Sequence, residues 1–110
     1  MKNSAIDTQF SMFNESQIQA IKLIIKNNFW GDCDQEYADG KTYDTYGYYT
    51  NTQKGKEWSG LISGISKKIK SSKTNLINTC PNWWGDNSGD MIFFNIDLID
   101  KDQLEEWAKN

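Results

Sequence analysis

An α+β fold is predicted by three features of this 110-residue chain. Three stretches carry apolar residues at helical spacing, three others have the composition or alternation of strands, and capping signals open two of the helices. The resulting order is α-β-α-β-β-α, a three-stranded, mainly antiparallel sheet with helices packed on one face. The length suits a single domain over residues 1–110, with a core large enough to fold without a metal or disulfide.

The first helix begins at Asn14 and Gln17, which read as a capping box, with Phe13 and Ile18 as its hydrophobic staple. Ile18, Ile21, Ile25 and Phe29 follow at helical spacing, Ile24 widens the stripe, and Gly31 is expected to stop it. Residues 31–44, GDCDQEYADGKTYD, read as a loop, and the tyrosines and threonines from Tyr43 to Thr50 favour a strand. A second helix is predicted from Lys56 to Ser71, with Trp58, Leu61, Ile62, Ile65 and Ile69 on one face. Lysines 67, 68, 70 and 73 gather at its end, where they complement the helix dipole.

A short strand from Asn75 to Cys80 leads into the loop PNWWGDNSGD and then into MIFFNIDLI. Alternation puts Ile92, Phe94, Ile96 and Leu98 on one face and Met91, Phe93, Asn95 and Asp97 on a half-exposed one. These last two strands should pair antiparallel. Asp100 and Gln103 cap the final helix, stapled by Ile99 and Leu104, with Trp107 docking a turn later. The expected core joins Ile21, Ile25, Leu61, Ile65, Phe94, Ile96 and Leu104.

Composition narrows the chemistry. The chain has no histidine and no arginine. The usual neutral general base, imidazole metal ligands and bidentate guanidinium contacts are therefore missing, and the chain is not expected to be an enzyme. Asp32, Asp34, Glu36 and Asp39 resemble a calcium loop but have Tyr37 and Tyr43 where glycine and an acid belong. Asp86, Ser88 and Asp90 have the right spacing but Met91 at the glycine position. No metal and no cofactor is expected. No apolar run is long enough to span a bilayer and no secretory leader opens the sequence, so no membrane contact, a cytoplasmic location and reduced Cys33 and Cys80 are expected.

Charge is unevenly spread. Residues 31–53 carry five acids against Lys41, residues 54–85 carry six lysines against Glu57, and residues 86–110 carry seven acids against two lysines. Such blocks either form ordinary solvated surface or steer a charged partner. The sequence Ser59-Gly60-Leu61-Ile62-Ser63-Gly64 spaces small residues for close approach of a neighbouring backbone.

The tyrosines of segment 37–49 and the Trp83/Trp84 pair have polar, glycine-containing neighbours, the composition of binding surfaces. One of Trp83 and Trp84 should be buried and the other exposed. The expected partner-binding residues are Tyr43, Tyr46, Tyr48, Trp83 and Trp84, with Lys67 and Lys68 at the rim. The expected partner is another protein, occluded by an inhibitor or adaptor of the kind that serves as a phage or mobile-element counter-defence or immunity protein. A small-ligand or carbohydrate-binding domain using the Trp83/Trp84 loop is the alternative, and a hydrolase built on Asp86 and Asp90 or on Cys80 is a third. A pocket lined by carboxylates would favour the latter two, a flat aromatic patch the first. Nucleic acid is disfavoured because the lysines and the aromatics lie in different segments.

Overall fold

The computed structural model describes residues 4–27, 29–51, 55–86 and 89–110. It contains α1 (Ser4–Gln9), α2 (Glu15–Asn27), β1 (Phe29–Glu36), β2 (Thr42–Asn51), α3 (Gly55–Ser72), β3 (Ile77–Cys80), β4 (Gly89–Asn95) and α4 (Lys101–Ala108). The strands form one antiparallel sheet in the order β1-β2-β4-β3. The fold is α+β as predicted, with one more helix and one more strand.

The additional strand replaces part of the expected loop. Phe29–Glu36 pairs with Thr42–Tyr48 as a hairpin, so α2 ends at Asn27 and not at Gly31. Its outer position explains why no pattern betrayed it: Asp32, Asp34 and Glu36 stand exposed on one side, with Cys33 and Gln35 half-buried on the other. Charges along an outer strand also discourage pairing with a further chain.

The capping box of α2 forms as predicted, and that of α4 is seen in its Asp100 half. The Asn14 side chain accepts from the Gln17 amide at 2.9 Å, and Gln17 accepts from the Asn14 amide at 3.0 Å. Asp100 likewise accepts from the Gln103 amide. The unpredicted α1 is tied down by Phe10, which packs on Phe13, Phe94 and Trp107, and by Asp7, which accepts from the Trp107 indole at 2.7 Å.

One core joins Ile6, Phe10, Ile21, Ile24, Ile25, Ile62, Ile65, Ile69, Leu104 and Trp107 of the helices to Tyr46, Tyr48, Ile77, Ile92 and Phe94 of the sheet. The register pairs Tyr46 with Phe94, Tyr48 with Ile92 and Ile77 with Phe94, so these strand residues share a face. Of the predicted core, Ile96 is 39% exposed because β4 stops at Asn95. Leu61 only borders the core, and the side chain of Trp58 lies outside the described residues.

Among the described residues no helix is long and apolar enough to cross a membrane. Cys33 and Cys80 are free, on the two outer strands. Three interstrand spacings, about 14 Å, separate those strands, too far for a disulfide.

Candidate functional site

The opposite sheet face is the unusual one. Met91, Phe93 and Asn95, expected to be half exposed, are essentially fully buried. Gly47 makes this possible: a Cβ there would lie 2.8 Å from the Phe93 ring, so the ring lies across β2 only because that position is glycine. At one end of the face, the β1–β2 turn covers it with Tyr37. The Tyr37 hydroxyl bonds that of Thr45 at 2.6 Å, and burial holds the phenol protonated. Thr45 spends its single proton on the Phe94 carbonyl, so Tyr37 is the donor.

At the other end lies an aromatic band. Trp83 packs on Phe93 with ring centroids 5.3 Å apart, and Trp30 stands edge-on to Trp83 at 5.6 Å. Trp84 stands edge-on to Tyr49 at 5.7 Å, beside Gly89. Gly89 is fixed by its surroundings, because any Cβ would collide with the Thr50 carbonyl. The loop is held by the Trp83 amide donating to Gly89 and the Asn82 amide donating to the Asp90 carboxylate. Trp30 is 40% exposed and Trp84 46%, whereas Trp83 is half-buried. The contrast between Trp83 and Trp84 follows the expected sense.

The structure redistributes the predicted site. Tyr46 and Tyr48 are fully buried on the helix-facing side and cannot meet a partner. Their hydroxyls donate to the Ile99 carbonyl and to Glu105, and burial raises both pKa values. Alternation had left their face undecided, and the helix layer took it. Tyr43 is half-buried near the Tyr37 end; its hydroxyl donates to Asp39 and, with the Lys41 amide, holds that carboxyl below the usual range. Lys67 and Lys68 sit in the C-terminal third of α3, which runs on towards the start of β3, while the Trp83/Trp84 loop leaves its end. Ser66, beside them, bonds Thr79 of β3 at 2.6 Å, which sets both lysines in the helix layer, across the sheet from Phe93 and Trp83.

Trp30 is not among the expected residues, and Tyr49, one of the tyrosines of segment 37–49, is not among those expected to bind. For Trp30 a signal was present: Phe29-Trp30-Gly31-Asp32 and Trp83-Trp84-Gly85-Asp86 are the same aromatic-Trp-Gly-Asp pattern, and both deliver an exposed tryptophan and an exposed aspartate. A register shift between Phe29 and Gly31 turns Trp30 onto the band.

The catalytic alternatives gain little here. Burial, and then nearby Asp90, push the Cys80 thiol up, opposite to what a nucleophile needs. Among the described residues no group of three or more Cys, Asp or Glu side chains is placed to hold a metal. Ser88, a member of the second calcium-like cluster, lies outside the described residues. A concavity of about 250 Å³ lies on α2 and the C-terminus, lined by Gln19, Lys22, Leu23, Lys26, Ala108 and Asn110, away from the band.

Fold and site together define a two-layer α+β domain with an aromatic band on the sheet face turned away from the helix core. No family model, curated protein or solved structure matches the chain.

Proposed function

We propose that the chain is a protein-binding module, an inhibitor or adaptor that covers part of a partner through the band Trp30–Trp83–Tyr49–Trp84. The observation that carries this reading is the pair of large rings, Trp30 and Trp84, left 40% and 46% exposed on rigid strands and a pinned loop. A ring already fixed by its neighbours loses little entropy on binding and contributes a large apolar area, the character of an interface hot spot. Among the described residues the rings of the band lie against paired strands, which suits an extended partner surface better than a small ligand.

Affinity capture from a lysate of the source cell, with wild type and a Trp30→Ala/Trp84→Ala variant compared, tests the reading. A protein retained by wild type should be lost with the variant, with affinity weakened at least ~30-fold. Equal retention by both would remove the band from the interface. Wild-type retention on oligosaccharide resins, lost in Trp84→Ala, would transfer the site to carbohydrate.

A further inference from the structure

We infer that the band takes a proline-rich segment of the partner, held in the extended left-handed helix that such sequences adopt. This rests on the binding role proposed above and names the chemistry of what is bound.

Three observations carry it. The first is neutrality. The charged residues of the four strands are Asp32, Asp34, Glu36, Asp44 and Asp90, and the register sets all of them on the helix-facing side with Tyr46, Tyr48 and Ile92. Strand positions on the other side, beneath the band, carry no charge. A charged segment laid there would lose hydration with no opposite charge to offset it, whereas proline has no charge to desolvate. The second is a surplus of donors. Among the described residues nothing accepts from the indole N–H of Trp30, Trp83 or Trp84, while that of Trp107 donates to Asp7. An indole can only donate. A proline-rich helix is its complement, because it lacks amide hydrogens and its carbonyls make no internal hydrogen bonds. The third is shape. Trp30 and Trp83 meet at 70°, and Tyr49 and Trp84 at 89°. Each pair makes a corner with two aromatic walls, and the consecutive Trp83 and Trp84 bring the two corners together. A pyrrolidine ring fills such a corner, and the helix repeats every three residues, about 9 Å, so rings recur along one side. Its backbone is already ordered before binding, which keeps the entropy cost low.

The test uses the whole chain and decaproline, acetylated and amidated at its ends, followed through the indole N–H resonances. A glycine–serine peptide and a glycine–arginine peptide of the same length serve as comparisons. Decaproline should shift the signals of Trp30, Trp83 and Trp84, leave that of Trp107 in place, and bind equally well as salt rises. Trp30→Ala and Trp84→Ala should each weaken binding about five- to tenfold. Trp30→Phe and Trp84→Phe keep a ring to pack and lose the donor, and each should weaken it about two- to fourfold. Lys67→Gln on α3 should leave it unchanged. Decaproline bound no better than the glycine–serine peptide, a preference for the arginine peptide, shifts confined to Trp107, or full affinity in all four tryptophan variants would each overturn the proposal. A captured natural partner that depends on Trp30 and Trp84 but meets them with a segment free of proline would overturn it too, while leaving the binding role intact.

Discussion

Gly60 and Gly64 lie one turn apart on α3 and meet different surroundings. A Cβ at Gly60 would touch no described atom within 4 Å, whereas one at Gly64 would lie 2.9 Å from the Gln17 side chain. Gln17 is held in the capping box of α2, so it yields poorly. Of the two glycines, only Gly64 meets a close neighbour among the described atoms. Gly60→Ala should stabilise the protein by about 0.5–1 kcal/mol, the helix-propensity difference, and raise the melting temperature by a few degrees. Gly64→Ala should gain less or lose stability. Gly47→Ala should cost about 1–3 kcal/mol, because its methyl group must displace Phe93 and Met91. Thermal melts of the three variants check this order, and an equal response at positions 47 and 60 would contradict the account of Phe93.

Elements were legible where their signals are local. The capping box of α2, the Asp100 cap of α4 and the apolar stripes of both helices stand in the sequence and form as read. β1 was invisible because an outer strand with exposed Asp32, Asp34 and Glu36 shows no apolar alternation, and only its pairing with β2 makes it a strand. The end of β4 was misjudged because Asn95 breaks the run. Its side chain donates to the Asn75 carbonyl and accepts from the Asp97 amide, turning the chain and leaving Ile96 and Leu98 exposed. The site was half legible for the same reason: Trp83 and Trp84 stand out in a loop, but Trp30 needed β1 and its register shift to reach them. Truncating Phe94 or Ile65 to alanine should cost about 2–5 kcal/mol, and Phe93→Ala should fall in the same range although it lies on the opposite face. Ile96→Ala should stay within about 0.5 kcal/mol. Denaturant midpoints that moved equally for Phe94→Ala and Ile96→Ala would refute the placement of the strand end.

On the scale of the whole molecule, sheet and helix layers are locked by polar contacts as well as by the core. Trp107 reaches Asp7 from α4 to α1, and Tyr48 at the centre of the sheet donates to Glu105 of α4 at 2.7 Å. The two cysteines contribute nothing to this locking, since their strands lie at opposite edges of the sheet. Reductant should therefore leave the melting temperature unchanged, and a drop of about ten degrees would mean that a covalent link had been overlooked.

Glu105 allows the layer contact to be read as a function of pH. The oxygen that accepts from Tyr48 also accepts from Lys101 at 2.9 Å. Burial opposes ionisation of this carboxyl, but the hydrogen bonds from Lys101 and Tyr48 together outweigh it and hold the pKa below the ordinary glutamate value. The folded state thus binds the proton less readily than the unfolded state. The stability this confers is fully present above the unfolded pKa, near 4.3, and is lost as pH falls through the lower folded value. With a third of the side chain exposed, screening keeps the contribution below about 1 kcal/mol. Glu105→Gln retains an acceptor for Tyr48 but not the charge. Denaturant melts should show the variant less stable than wild type at pH 7, with the gap closing as the solution is taken down towards pH ~3. A gap of constant size across that range would show that Glu105 binds its proton equally in both states, and the link between sheet and α4 would then be one of packing alone.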